Sequence, residues 1–189
     1  MKKPVVYLTI GLPASGKSTY ASRMKDVVFL SADALRQELF RNEAIQYTQE
    51  FLKEHGYEPD GMTEWEKARK AAYFLWNYVA RRGLEAVRNG SNILIDGTFV
   101  QPQTRLRMIR KFHPYSTLHG LFFVPDLNIC LSRNQLRARK VDEKVIRKMA
   151  EQLVVPSLEE GFDVLDFLNP DGSLLQRLES PDYRKEQKE

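Results

Sequence analysis

The feature that most constrains this chain is the octapeptide at residues 11–18, Gly-Leu-Pro-Ala-Ser-Gly-Lys-Ser, which fits the pattern G-x-x-x-x-G-K-S. It follows an apolar run at residues 5–10 that predicts a buried parallel strand, and it precedes a segment at 17–25 that can form a helix. This pattern is informative when a strand precedes it and a helix follows it. The N-terminal part of the chain is therefore predicted to form a strand, a phosphate-binding loop and a helix.

The residue types in this loop match the chemistry of phosphate binding. Gly11 and Gly16 let the backbone turn tightly and bring its N–H groups close to phosphate oxygens, and the helix that begins near Gly16 presents its positive end there. Lys17 can reach the β- and γ-phosphates of a nucleoside triphosphate, and the Ser18 hydroxyl can bind Mg²⁺. We expect ATP and Mg²⁺ as cofactors, held by Gly11, Pro13, Ala14, Ser15, Gly16, Lys17, Ser18 and Thr19. The alternative is a glycine-rich turn that fits the pattern by chance.

Length and composition indicate one ordinary globular domain. The chain has 189 residues, of which 42% are hydrophobic and 29% charged, and it has no apolar run of membrane-spanning length. Its single cysteine, Cys130, excludes an internal disulfide and is predicted to be a buried thiol. These features favour a cytoplasmic protein that does not contact membranes, with one domain at 1–179 and a charged, frayed tail at 180–189.

Apolar runs alternate with helical patterns, which predicts an α/β fold with a parallel sheet and helices on both faces. About five strands are expected, at residues 5–10, 27–30, 92–96, 118–124 and 161–165. A capping box at Thr63 and Glu66 predicts a long helix that ends near Arg88. Its core-facing stripe is predicted to be Trp65, Ala68, Ala72, Trp76, Val79 and Ala80.

Asp33 and Arg36 follow the second strand, at the edge of the sheet where open α/β proteins bind ligands. Residues three apart share one helix face, so the two side chains point the same way. The carboxylate can accept a proton from an attacking hydroxyl, and the guanidinium can hold an anionic acceptor. The alternative is a common surface ion pair at the start of a helix.

Asp96 and Thr98 follow the third strand. An aspartate at this point of a phosphate-loop protein can position Mg²⁺ through water, or can bind a neighbouring arginine. Thr98 can contact phosphate or orient Asp96, whereas the alternative for Asp96 is a helix cap only.

The net charge of the chain is +4, and it is concentrated in residues 132–149, which hold seven basic and two acidic residues. Arg133, Arg137 and Arg139 lie at the end of one predicted helix and in the short link to the next. Two helices joined in this way predict a lid whose arginines neutralise charge on a transferring phosphoryl group. The alternative is an exposed basic patch.

The chain resembles the phage-type and bacterial 5′-hydroxyl polynucleotide kinase domain of the P-loop phosphotransferases. The resemblance rests on residues 11–18, Asp33-x-x-Arg36, and the segment 95–101, in which Phe99 stands where the family often has Asn. It continues through Arg133-Asn134-x-x-Arg137, residues 145–149 and residues 160–163, and it covers most of residues 4–168.

This resemblance implies a role for each matched residue. Lys17 and Ser18 bind the triphosphate and Mg²⁺, Asp33 is the general base, and Arg36 holds the acceptor's phosphate. Arg137 is the lid arginine that reaches the transferred phosphoryl group, with Arg133 nearby and Asp96 supporting the site.

The resulting hypothesis is an ATP- and Mg²⁺-dependent kinase that phosphorylates 5′-hydroxyl ends of DNA or RNA. Two alternatives remain open: a small-molecule kinase for a sugar, nucleoside or antibiotic hydroxyl, and a nucleotide-gated binding module that hydrolyses ATP slowly. The segment 41–62 is either a loop over the acceptor site or a surface excursion.

Overall fold

A computed structural model describes residues 3–40 and 47–186 as one six-stranded sheet with helices on both faces. The six strands are β1 (Val5–Ile10), β2 (Val27–Ser31), β3 (Asn92–Asp96), β4 (Thr117–Phe123), β5 (Val164–Leu168) and β6 (Leu174–Glu179). The helices are α1 (Lys17–Ala21), α2 (Ala32–Phe40), α3 (Gln49–Glu54), α4 (Glu64–Arg88), α5 (Pro102–Phe112), α6 (Leu127–Gln135), α7 (Glu143–Gln152) and α8 (Pro181–Glu186), with a short 3₁₀ turn at Leu158–Glu160.

The strand order is β2-β3-β1-β4-β5-β6, and every neighbouring pair is parallel except β5 and β6. Because the carboxyl ends of parallel strands meet at one edge of the sheet, the segments that follow β1, β2 and β3 come together there. These segments hold the phosphate-binding loop, Asp33 and Asp96. The α/β, mostly parallel architecture predicted from the sequence is confirmed.

The two faces of the sheet are covered by different helices. Val6, Leu8 and Ile10 of β1 alternate with residues of the opposite face and pack in the larger core, which the long helix α4 covers. On the other face, Leu94 and Phe123 pack in a smaller cluster with residues of α1.

Helix α4 begins with the predicted capping box, in which Thr63 and Glu66 bond each other's backbone N–H groups. The predicted core stripe is wrong in its first half, because Trp65 is 65% exposed and Ala68 and Ala72 are also exposed. The buried positions of the helix are Ala71, Leu75, Val79, Ala80, Gly83 and Val87. Besides its contacts with the sheet, α4 packs on α2 and α3.

The C-terminal part differs from the prediction in three ways. Strand β5 lies at Val164–Leu168 instead of 161–165, β6 is a sixth strand that the sequence did not predict, and Pro181–Glu186 is a helix where a frayed tail was expected. The side chains of β6 are mostly exposed, so this strand carries no apolar pattern. In the segment 41–62, residues 41–46 lie outside the described residues, as do residues 187–189 of the tail. Helix α3, which belongs to the same segment, packs through Phe51 and Leu52.

A buried carboxylate fixes β6 to the sheet. Arg177 on β6 donates to Asp166 on β5 through Nε at 2.6 Å and Nη2 at 2.8 Å, and His119 on β4 contacts the same carboxylate at 2.9 Å. Burial opposes ionisation of Asp166, but the hydrogen bonds from Arg177 and His119 outweigh it and hold its pKa well below the usual range. His119 is therefore part of the contacts that hold β4, β5 and β6 together.

Replacing Asp166 with Asn is expected to lower the free energy of unfolding by roughly 2–3 kcal/mol at pH 7, because the buried carboxylate that accepts hydrogen bonds from Arg177 and His119 is replaced by a neutral amide. The lowered pKa means that Asp166 stabilises the fold above pH ~4, its value in the unfolded chain, and stops doing so as acid protonates it in the folded chain. Urea unfolding of both proteins between pH 7 and pH 3 measures this, and the difference should shrink below pH 4. A difference that is constant with pH would contradict the assignment.

Among residues 3–40 and 47–186, none of the helices combines the length and apolar character needed to cross a bilayer.

Candidate active site

A cavity of about 760 Å³ opens at the carboxyl edge of the sheet, between the phosphate-binding loop, α2, α4 and the segment that joins α6 to α7. This volume is in the range of small-molecule and cofactor sites. Most of the predicted site residues line it: Pro13, Ala14, Gly16, Lys17, Ser18, Thr19, Asp33, Arg36, Asp96, Thr98, Arg133 and Arg137. Gly11 and Ser15 also belong to the phosphate-binding loop, but they are buried and do not line the cavity.

The two glycines of the loop are required by their surroundings. Gly11 has φ 149° and donates its N–H to the Thr98 carbonyl at 2.9 Å, which joins the loop to the segment after β3. Gly16 has φ 107°, and a Cβ there would lie 2.5 Å from the carbonyl oxygen of Pro170. A side chain at Gly16 would therefore force apart the loop and the turn between β5 and β6.

Lys17 is almost completely buried in this loop, with 7% of its surface exposed. Its ammonium donates to the Leu12 carbonyl and to Ser15 Oγ at 3.3 Å. Burial lowers the pKa of Lys17 to about 8, although the negative charge of Asp96 opposes the shift. Helix α1 has only five residues, so we assign anion binding to Lys17 and the loop N–H groups more than to a helix dipole.

Asp96 is held between two hydroxyl groups at the end of β3. Ser18 Oγ donates to Asp96 Oδ2 at 2.9 Å, and Thr9 Oγ1 on β1 donates to Asp96 Oδ1 at 2.8 Å. Thr9 also accepts the Gly97 N–H at 3.1 Å. The orienting residue is thus Thr9, where the sequence had suggested Thr98. The adjacent Ser18 hydroxyl and Asp96 carboxylate are hard oxygen donors of the kind that Mg²⁺ prefers, so they fit this cofactor.

Replacing Thr9 with Val is expected to lower the free energy of unfolding by about 1–2 kcal/mol and to reduce kcat, because the Gly97 N–H and one Asp96 oxygen both lose their partner. Thr9→Ser keeps the hydroxyl and should stay close to wild type. Urea unfolding and initial rates at several Mg²⁺ concentrations measure the two effects. Equal behaviour of the Val and Ser variants would show that the hydroxyl does not position Asp96.

Asp33 lies on the opposite side of the cavity, in the first turn of α2. Arg36 Nη1 donates to Asp33 Oδ1 at 2.9 Å, and Arg139 Nη1 donates to Asp33 Oδ2 at 3.1 Å. The ion pair at i, i+3 that the sequence allowed is therefore present, and a second arginine from the α6–α7 link completes it. About half of the Asp33 side chain remains exposed to the cavity. Each carboxylate oxygen has a second lone pair with which to accept a hydroxyl proton.

The Asn134 side chain, near the end of α6, ties together the two ends of the link between α6 and α7. Asn134 donates to the Val141 carbonyl at 2.7 Å and accepts the Val141 N–H at 3.0 Å. Arg133 donates to the Pro170 carbonyl at 2.8 Å, and Arg137 lines the cavity close enough for its charge to contribute to the lowered pKa of Lys17. The predicted arginine-bearing segment therefore does lie over the loop.

A buried arginine holds the segment that follows Asp96. Arg105 on α5 is fully buried, and it donates from Nε and Nη2 to Glu160 at 2.6 Å each. Its Nη1 donates to the carbonyls of Phe99 at 2.9 Å and Val154 at 3.1 Å. Phe99 is buried with φ 42°, a conformation that a phenylalanine keeps only when its surroundings impose it.

The sequence indicated Arg139 only as one of the lid arginines and not as a partner of Asp33, and it gave no role to Thr9. Arg139 lies two residues after Arg137 in the same link, where the backbone is not helical, so no periodicity could show which arginine faces Asp33. Thr9 is the single polar residue at the end of β1, and this was a usable signal, because a buried hydroxyl needs a partner.

Comparison with known proteins supports the fold. The sequence model of an AAA domain family matches residues 6–156. Among solved structures, a putative kinase from Chloroflexus aurantiacus has a TM-score of 0.60 at 17% identity, covering 90% of this chain and 87% of that one. A gluconokinase from Sinorhizobium meliloti has a TM-score of 0.57 at 15% identity, covering 92% and 86%.

A chain of the Pnkp1/Rnl/Hen1 RNA repair complex has a TM-score of 0.58 at 18% identity. The match covers 81% of the present chain but only 45% of that chain, so the present protein spans less than half of its length. No curated protein matches the sequence. These identities show a shared fold and leave the acceptor unassigned.

The family match covers most of the chain and includes the loop, Asp33, Asp96 and the arginine-bearing link. The protein therefore belongs to this AAA domain family, and its fold is the P-loop, kinase-like fold of its structural neighbours.

Proposed function

We propose that this protein is an ATP- and Mg²⁺-dependent kinase that transfers the γ-phosphoryl group to the 5′-hydroxyl end of DNA or RNA. The observation that carries the proposal is the position of Asp33, which faces the same cavity as Lys17, Ser18 and Asp96 and is fixed there by two arginines. A carboxylate across a cavity from a phosphate-binding lysine is the arrangement that in-line transfer to a hydroxyl requires.

The donor side of the cavity suits a triphosphate. Lys17 and the loop N–H groups would bind the β- and γ-phosphates, and the adjacent Ser18 hydroxyl and Asp96 carboxylate would hold the metal ion. The ion supplies neutralisation of charge on the phosphate oxygens when it is bound. Lys17 recovers full protonation when phosphate approaches, since an adjacent anion offsets the burial that lowers its pKa.

The acceptor side suits a hydroxyl that is attached to a phosphorylated molecule. Asp33 accepts the hydroxyl proton as the oxygen forms its bond to the γ-phosphorus, and the bond from that phosphorus to the β,γ-bridging oxygen breaks to release ADP. Arg36 binds a phosphate of the acceptor, while Arg137 and Arg139 offset charge on the transferring group.

The preference for a polynucleotide rests on charge. Six basic residues line the cavity, namely Lys17, Arg23, Arg36, Arg133, Arg137 and Arg139, against three acidic ones, Asp33, Asp96 and Asp171. The donor triphosphate accounts for Lys17, Arg133 and Arg137, and Arg36 on the acceptor side is left to hold a phosphate of a nucleic acid end, which a neutral sugar does not have. The fold neighbours include both a chain of an RNA repair complex and a gluconokinase, so charge and not fold supports the choice.

The test is transfer from γ-labelled ATP to a panel of acceptors. The panel contains single-stranded DNA and RNA with a 5′-hydroxyl, the same oligonucleotides with a 5′-phosphate, nucleosides, and sugars such as gluconate. We expect label on 5′-hydroxyl oligonucleotides alone and an acceptor KM that rises steeply with salt. Label confined to sugars or nucleosides would establish the small-molecule kinase instead, and ATP hydrolysis without any labelled acceptor would favour the binding module.

A further inference from the structure

One face of α4 runs without interruption from the core to the outside of the cavity. In the C-terminal half of the helix, Val79, Gly83 and Val87 of this face are buried against the sheet. Four residues continue the same face toward the N-terminus, at helical spacings of four, three and four: Trp76, Ala72, Arg69 and Trp65. This row, here called the α4 row, passes from Trp76 in the cavity wall to the exposed residues Ala72, Arg69 and Trp65.

The inner end of the α4 row belongs to the cavity. Trp76 is half-buried and lines the cavity together with Asp33 and Asp96. Its ring lies 4.8 Å from the ring of Phe99, and it also packs against Gly97, where a Cβ would lie 2.9 Å from the indole. These contacts hold the indole in place beside the proposed general base.

The outer end of the row exposes a large aromatic ring to water. Trp65 is 65% exposed, and the Arg69 guanidinium lies 5.4 Å from its ring centroid. The indole and the guanidinium together offer a flat, cationic surface of the kind on which a nucleic acid base can stack. Between the two ends, Ala72 and Arg69 are also exposed.

The dimensions of the α4 row match a short stretch of nucleic acid. The two tryptophans are eleven positions apart, which corresponds to about 16 Å along a helix. A strand stacked at 3.4 Å per nucleotide places roughly five nucleotides over this distance, and an extended strand places fewer.

Resting on the proposed function, we infer that the α4 row binds the bases of a single-stranded polynucleotide whose 5′ end lies in the cavity. Aromatic faces and an arginine, with no acidic residue in the row, are the groups on which successive bases stack. The two acidic residues of the first turn are engaged elsewhere, Glu64 with Lys67 and Glu66 with Thr63. Continuity with a cavity rich in arginine favours nucleic acid over a protein partner.

The kinetic test compares acceptors of increasing length in the double variant Trp65→Ala/Arg69→Ala. With single-stranded 5′-hydroxyl oligonucleotides of six or more nucleotides, we expect the acceptor KM to rise by about 5- to 150-fold, as for the loss of one stacking platform. The kcat, the KM for ATP and the KM for a 3′-mononucleotide acceptor should stay at wild-type values. An increase in the acceptor KM that does not depend on oligonucleotide length, or an unchanged acceptor KM, would overturn the inference.

The chain offers a matched control at the opposite end of the same helix. There the Arg88 guanidinium lies 5.7 Å from the ring of Tyr115, which is 47% exposed. Arg88→Ala/Tyr115→Ala removes the same chemistry away from the cavity and should leave every acceptor KM unchanged. If the Trp65/Arg69 variant instead changed only the elution volume of the protein, the row would be a contact between copies and the inference would be wrong.

A binding measurement separates this inference from the proposed activity. The chain has two tryptophans, so Trp76→Phe leaves Trp65 as its single indole. Titration with a single-stranded octanucleotide in the absence of ATP should quench this fluorescence, and the same titration with a duplex of equal length should not. Absence of quenching would overturn the inference even if 5′-hydroxyl transfer is found, whereas failure of transfer to all oligonucleotides would contradict the proposed function.

Discussion

Replacing Asp33 with Asn is expected to lower kcat for phosphoryl transfer by about 10²- to 10⁴-fold while ATP still binds. The amide keeps the shape of the carboxylate and one oxygen for the two arginines, but it cannot take the proton of the acceptor hydroxyl. Single-turnover transfer and equilibrium binding of a fluorescent ATP analogue measure the two quantities separately. Transfer at a rate close to wild type would show that Asp33 is not the base.

The ion pair around Asp33 needs its own control, because the Asn variant weakens it as well as removing the base. Arg139→Ala breaks the contact at 3.1 Å between the α6–α7 link and Asp33 but leaves the carboxylate intact. We expect it to retain more transfer activity than Asp33→Asn. Asp182→Asn on α8, an exposed aspartate outside the cavity, should have no effect.

Replacing Lys17 with Met is expected to lower kcat by roughly 10³-fold, because no other residue of the loop carries a positive charge that can stabilise the negative charge on the γ-phosphate during transfer. The same change should not lower the Tm measured without nucleotide. Lys17 carries its charge in a buried position, and its pKa of about 8 reflects the cost of keeping that charge away from water.

Differential scanning calorimetry with and without ATP tests both parts of this prediction. The Tm of the wild-type protein should rise when ATP is added, whereas the Tm of the Met variant should not. Lys25→Met, at an exposed position after α1, is the matched control and should keep it. A large fall in Tm for the Lys17 variant alone would mean that the lysine is structural.

The sequence predicted those strands well whose apolar residues are explained by burial alone. The apolar runs of β1, β3 and β4 are buried on both faces of the sheet, so they stand out from any helix. Strand β6 could not be found in this way, because its side chains are mostly exposed and its stability comes from pairing with β5 and from Arg177. The predicted buried face of α4 was wrong in the N-terminal half of the helix for a related reason. Spacing shows which residues share a row, but it does not show which row the neighbouring helices α2 and α3 cover.

The candidate site was predicted in its parts and not in its contacts. Lys17, Ser18, Asp33 and Asp96 were expected together because each follows the carboxyl end of a strand. The contact between Arg139 and Asp33 depends on the shape of a non-helical link, which the Asn134 side chain fixes, so the sequence indicated the arginines of the link but not which of them meets Asp33.

The antiparallel strand at the margin of the sheet has a consequence for handling this protein. Strand β5 is buried and apolar, and β6 occupies the backbone groups along one of its sides. A truncation before Leu174 would leave those amides and carbonyls open to strands of other molecules, and such unprotected margins promote aggregation. The polar C-terminal segment thus protects the sheet from self-association, and shortened versions of the chain should retain it through Glu186.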